Sequence, residues 1–125
     1  MADLEKLDET TSLISAGKVT GTPVYSTEGE RLGEINDVML DKRSGKIAYA
    51  VMSFGGFLGL GERYHPLPWA TLKYDTRQHG YVVGLTIDQL QQAPTFGADQ
   101  IPAWGDRAYE STLHAYYHAK PYWAV

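Results

Sequence analysis

Two histidines, His114 and His118, stand four residues apart near the end of the chain, and Glu110 stands four residues before the first. On a helix this spacing puts both imidazoles and the carboxylate on one face, the arrangement in which a helical His-x-x-x-His pair binds zinc. The remaining histidines, His65 and His79, are tied to that pair by no motif, and zinc needs at least a third protein ligand. The competing reading is a partly exposed helix face near a C-terminus, where the helix dipole favours both imidazoles. His114 and His118 are thus the metal candidates, but no metal site and no cofactor is assigned.

A second pattern is the run GGFLGLG at 55–61. A dinucleotide loop needs G-x-G-x-x-G opening a helix, and a P-loop needs Lys followed by Ser or Thr after its last glycine. Neither condition is met. Gly59 and Gly61 run into Glu62, Arg63 and Tyr64, and then Pro66 and Pro68 forbid a regular helix. The run reads as a wide hairpin turn in which Gly55 and Gly56 allow positive φ, while Phe57 and Leu58 fold back onto apolar surface. Asp37, Asp41 and Glu62 with Lys46 and Arg63 could form a carboxylate set or a charged rim, yet no Ser/His/Asp motif joins them. Asp37 is expected to bond to a turn and anchor the closure of a barrel. Trp69, Tyr64, Phe57 and Tyr81 could line a ligand pocket, although in a small barrel such residues are more often core. No catalytic residue is identified, so the chain reads as non-enzymatic.

The elements that must position these residues centre on 46–54. Ile47, Tyr49, Val51 and Ser53 alternate with Ala48, Ala50, Met52 and Phe54, and both faces are apolar. A strand of this kind needs cover on both sides. Before it, short apolar pieces at Leu13, Ile14, Val19, Val24 and Tyr25 read as strands, followed by a long strand over 30–41 with a break in period near Gly33. A turn at 41–45 joins the long strand to the central one. After the glycine run, 63–68 is extended, 69–74 continues it, and a turn at 75–80 leads into a last strand over 81–85. This succession predicts a mainly β chain, a small antiparallel β-barrel. A helical turn capped by Thr86 or Asp88 follows, and Asp106 N-caps a C-terminal α-helix over 107–118.

On that helix Tyr109, Leu113, Tyr116 and Tyr117 fall on one face, and Trp104, Tyr122 and Trp123 flank it. A segment this aromatic is expected to supply the second cover of the central strand, in the same subunit or across a dimer. The chain divides into an acidic, flexible arm at 1–11, a barrel domain at 12–92, a Pro/Gly linker at 93–105 and the aromatic helix and tail at 106–125.

Its 125 residues suit one domain, and the absence of cysteine excludes disulfides and thiolate chemistry. The net charge of -4 without a Lys/Arg cluster argues against nucleic acid and against an anionic membrane surface. Residues 1–11 carry no apolar run of a secretory signal and no stretch approaches a membrane span, so a soluble, cytoplasmic protein is expected.

Residues 13–74 resemble the PRC-barrel domain, named for the photosynthetic reaction centre. The resemblance rests on Gly21-x-Pro23-Val24-Tyr25, on Gly29-Glu30-x-Leu32-Gly33-x-Ile35-x-Asp37, and on Val51-x-Ser53-Phe54-Gly55-Gly56 with Pro66-x-Pro68-Trp69. The end of the chain, from Leu113 to Tyr117 and from Pro121 to Trp123, is similar to that of stand-alone bacterial members. The resemblance implies a small β-barrel serving as a protein–protein contact module, as in the reaction-centre H subunit and the C-terminal domain of the ribosome maturation factor. It implies no catalytic residue. Gly33, Asp37, Gly55, Gly56, Pro68 and Trp69 would be structural. Phe57, Leu58, Trp104, Tyr109, Leu113, Tyr116, Tyr117, Tyr122 and Trp123 would form the interaction surface, facing a protein partner or a second copy in a homodimer. A small-molecule or metal sensor and a ribosome-associated factor are the alternative readings.

Overall fold

The computed structural model describes residues 13–54, 63–97 and 102–124. The arm at 1–11 and Gly55, Gly56, Phe57 and Leu58 of the glycine run lie outside the described residues. In chain order the elements are α1 (Ala16–Val19), β1 (Pro23–Tyr25), β2 (Arg31–Leu40), β3 (Ile47–Phe54), β4 (Arg63–Pro68), a 3-10 turn (Trp69–Thr71), β5 (Leu72–Asp75), β6 (Gly80–Val83), α2 (Ile87–Gln91), β7 (Phe96–Gly97) and α3 (Arg107–Tyr117).

The centre is the long β2–β3 hairpin that the sequence predicts. Its turn is closed by the Asp41 amide donating to the Lys46 carbonyl at 2.8 Å and by the Ser44 hydroxyl donating to the Asp41 carboxylate at 2.7 Å. The Ser44 bond, ahead of the Arg43 amide, holds the Asp41 carboxyl below its ordinary range. Pairing of β2 with β3 slips twice, between Ile35 and Asp37 and between Met39 and Leu40, so the hairpin bends around the core. Gly33 has a separate reason: a Cβ there would collide with the Ser53 carbonyl oxygen, so only glycine lets the two backbones approach this closely.

Seven strands form one mixed sheet in the order β5-β6-β1-β2-β3-β4-β7. Two expectations are corrected here. The sheet is not wholly antiparallel, because β1 runs parallel to β6, with Val24 beside Tyr81 and Tyr25 beside Val82. Nor do its end strands, β5 and β7, pair with each other to close a ring of strands. A hairpin enforces antiparallel pairing, whereas β1 and β6 are joined only through most of the domain, which leaves the direction free. The seam is close: a Cβ on Gly80 would stand 2.6 Å from the Pro23 carbonyl oxygen.

Three local expectations also change. Ala16–Val19 is a helical turn rather than part of a strand, and it delivers Val19 to the core at 3% exposure. Trp69–Thr71 is a 3-10 turn rather than a continued strand. There Pro68 has its φ fixed, and its carbonyl accepts the Thr71 hydroxyl at 2.7 Å. Within the stretch read as a linker, Phe96 and Gly97 pair with Tyr64 and Arg63 of β4.

One core cluster draws on all six strands from β1 to β6, including Val24, Ile35, Met52, Leu67, Leu72 and Val83. The sheet therefore curls around its own inner face, and each such side chain contributes about 1.5–3 kcal/mol. Leu90 of α2 and Tyr117 of α3 fill the same cluster. The α2 turn is held by a capping box in which the Thr86 hydroxyl accepts from the Gln89 amide and the Gln89 side chain accepts from the Thr86 amide. Trp69 and Tyr81 meet edge to face at 5.2 Å, so both belong to the core rather than to a pocket. Among the described residues no helix is long and apolar enough to cross a membrane.

Candidate functional site

The second face of β3 carries the chain's concentration of buried polar chemistry. Asp106 N-caps α3 by accepting from the Ala108 amide at 2.9 Å, and the helix then buries Glu110, Leu113, His114 and Tyr117. These fall at i, i+3, i+4 and i+7, the stripe that packs on a neighbouring layer. Leu113 joins Ala48 and Tyr49 of β3 in a second apolar cluster, against which Met39, Trp104, Tyr109 and Tyr122 pack.

At its centre lies the Glu110 carboxylate, 2% exposed. Its Oε1 accepts from the hydroxyls of Tyr49 and Tyr122, both at 2.9 Å, and its Oε2 accepts from Arg107 Nη1 at 3.0 Å. A carboxylate removed from water is tolerable only when paired and hydrogen-bonded, and here both requirements are met. Arg107 also donates to the Tyr122 hydroxyl at 3.1 Å and lies 4.0 Å over the Trp123 ring. Burial first, then the bond to Glu110 and its charge, push the Tyr49 phenol above its ordinary pKa, so Tyr49 stays a neutral donor.

His114 is 4% exposed, and its Nε2 lies 3.0 Å from the Tyr49 hydroxyl. Because the Tyr49 proton goes to the acceptor-only carboxylate, the phenol oxygen accepts from His114 Nε2–H. This assigns the tautomer and leaves Nδ1 bare, and Nδ1 has no partner among the described residues. Burial, the largest influence, lowers the His114 pKa against the opposing Ala119 carbonyl and Glu110 charge.

His114 and His118 are not brought together. His118 ends α3 in the left-handed region at φ 53, exposed to solvent, while His114 points into the cluster. No group of three His, Cys, Asp or Glu residues among the described residues could hold a metal. The reading of both histidines as a partly exposed helix face fails as well, because His114 is buried.

The aromatic residues are largely engaged within the chain. Trp104 packs on Tyr49 at 5.3 Å and on Tyr109 at 6.1 Å, the Tyr116 hydroxyl donates to the Gln89 carbonyl at 2.6 Å, and Trp123 meets His114 at 5.3 Å. Leu113 and Tyr117 are buried, and Tyr122 is half-buried beside Glu110. The cover of β3 therefore comes from its own subunit. Asp37 is exposed, and its carboxylate accepts from the adjacent Val38 amide at 2.8 Å rather than from a turn.

Beside this cover the described residues form a groove of about 280 Å³, lined by Asn36, Asp37, Met39, Val51, Tyr64, Phe96, Pro102 and Trp104. Tyr64 and Phe96 stack at 5.4 Å along one side.

The PRC-barrel domain model matches residues 12–90, more than half of the chain. The chain belongs to the PRC-barrel domain family. Comparison with curated proteins gives no match. In this PRC-barrel chain Tyr49 lies within the matched residues, whereas Arg107, Glu110, His114 and Tyr122 lie beyond them. The polar cluster is therefore the joint between the family domain and the segment that follows it.

Proposed function

We propose that this PRC-barrel protein is a non-enzymatic protein–protein interaction module of the cytoplasm whose first partner is a second copy of itself. The observation that carries the reading is the groove that the described residues form on the outer face, with Met39, Val51, Phe96 and Trp104 as apolar lining. Leu40, adjacent to Met39 in β2, is 54% exposed and is one of two large apolar side chains among the described residues left in solvent. Each copy thus brings both an apolar groove and an apolar projection, the self-complementary pair that a two-fold interface requires. Support for a non-catalytic role comes from Glu110 and His114, which at 2% and 4% exposure reach no substrate. A net charge of -4 supports a protein surface as partner over nucleic acid.

Light scattering of the full chain over a concentration series tests this. A dimer that becomes a monomer in Leu40→Glu or Met39→Lys, with the thermal midpoint little changed, is the expected result. A monomer at every concentration, or a dimer indifferent to both substitutions, overturns self-association through this surface.

A further inference from the structure

We propose that His114 is a proton-operated latch: with its imidazole neutral, α3 and the tail pack on β3 around the His114–Tyr49 bond, and the buried charge that protonation adds beside that bond loosens them from that strand face. Three observations carry this. His114 is one of the side chains by which α3 reaches β3 with a directional bond, at 3.0 Å to the Tyr49 hydroxyl. Its Nδ1 is buried and makes no hydrogen bond among the described residues, so a proton added there places a charge out of water, offset only in part by the Ala119 carbonyl and the Glu110 charge. The segment it holds meets β3 through this polar cluster and the small apolar cluster around Leu113, while Tyr117 at the end of α3 is seated in the main core.

Among the groups that face one another here, His114 is the one whose charge acid changes. From β3 comes Tyr49, whose phenol stays protonated. From α3 comes Glu110, whose charge opposes the loss but is already engaged by Tyr49, Tyr122 and Arg107. From the tail come Tyr122 at 6.2 Å and the uncharged Trp123 at 5.3 Å between ring centroids. The strand β4 also packs on α3, but its ionisable groups turn elsewhere: His65 to the Leu90 carbonyl, Arg63 to Thr95 and Tyr64 onto Phe96. Burial lowers the folded pKa of His114, so the closed state is held above the free histidine value of about 6.5 and weakens as pH falls through the folded value.

Hydrogen exchange of the full chain, followed between about pH 7.5 and pH 5 and corrected for intrinsic rates, tests the latch. Amides of 107–118 should lose protection by about tenfold for each unit by which the folded pKa lies below the free one, beyond whatever smaller loss the β2 and β3 amides show. His114→Gln retains an amide donor toward Tyr49 but does not titrate, and its helix should exchange independently of pH over this range. In the unmodified protein the imidazole resonances of His114 should titrate together with the loss of protection, a readout that stands even where the variant fails to fold. PH-independent protection of α3, an unchanged pH response in His114→Gln, or equal loss in β2 and β3 each overturns the proposal.

Discussion

The hydroxyl of Tyr49 donates to Glu110 across 2.9 Å and 61 positions of sequence, inside the layer where α3 packs on β3. An apolar helix face has many seatings of similar energy, whereas a directional bond to a buried carboxylate selects one. With the His114–Tyr49 bond at 3.0 Å and the Tyr116–Gln89 bond at 2.6 Å, it fixes how the segment after the family domain sits on it.

Two Tyr→Phe substitutions should have opposite signs. Tyr49→Phe withdraws a donor from Glu110 and the acceptor from His114, leaving both short of a partner, and should cost about 1–3 kcal/mol in urea denaturation. Tyr117 is as aromatic and as deep, but its hydroxyl is buried with no partner among the described residues. Tyr117→Phe removes that orphan at constant shape and should be neutral or stabilising by up to about 1 kcal/mol. Equal destabilisation by the two would mean that ring packing, not the hydroxyl bonds, dominates.

What the sequence made legible divides along physical lines. The β2–β3 hairpin, the need for a second cover on β3, the Thr86 turn and the Asp106 cap all follow from local pattern, and each is present. The stripe at 110, 113, 114 and 117 was equally present as spacing, but a glutamate and a histidine on it read as a solvated face. Arg107, three residues before Glu110, is a local partner, but their burial also depends on Tyr49, 61 positions away, whose approach no local rule reveals. The parallel β1–β6 seam was hidden for a similar reason, since its three-residue strand finds a partner far along the chain. Pairing with distant strands is the part of a β fold that periodicity does not encode.

Two glycines separate close approach from mere flexibility. Gly33→Ala puts a methyl group into the Ser53 carbonyl, a backbone atom held in the β2–β3 ladder, and should cost about 1–3 kcal/mol or more. Gly17 in α1 has nothing within 4 Å of a built Cβ and a negative φ, so Gly17→Ala should stabilise by about 0.4–1 kcal/mol. Thermal midpoints moving in the same direction would contradict the backbone contact.

Acid should weaken the barrel as well as the latch. His65 is 1% exposed, with Nε2 at 2.7 Å from the Leu90 carbonyl. Burial above all, assisted by Arg63 and opposed by Leu90, lowers its folded pKa. The unfolded chain then takes up its proton first as pH falls, so stability present above about pH 6.5 is lost as pH drops through the folded value. The urea midpoint should be lower at pH 5 than at pH 7.5, and His65→Gln, which can still donate to Leu90, should reduce that difference. A larger difference in the variant would assign the acid sensitivity to other groups.

Zinc should leave the thermal midpoint of the metal-free protein unchanged. His114 already bonds to Tyr49 inside the cluster, and His118 has left the helix face, so the i, i+4 pair does not converge. A rise of several degrees on adding stoichiometric zinc would require a rearrangement of the end of α3.

His118 offers the cleanest test of that helix end. It caps α3 at φ 53 and ψ 37, with its amide donating to the Ala115 carbonyl at 3.3 Å and the Ala119 amide donating to the His114 carbonyl at 2.9 Å. These bonds satisfy carbonyls that the end of a helix otherwise leaves open, so the left-handed turn is required by the cap. A side chain in that region costs about 1–2 kcal/mol, which glycine does not incur. The His118 imidazole is exposed and makes no bond to Tyr49 or Glu110, so little is lost with it. His118→Gly should therefore stabilise the protein by about 1 kcal/mol and slow exchange in the last turn of α3. A destabilised variant would mean that the imidazole holds the tail through its interaction with the helix dipole, at a strength exceeding the backbone strain.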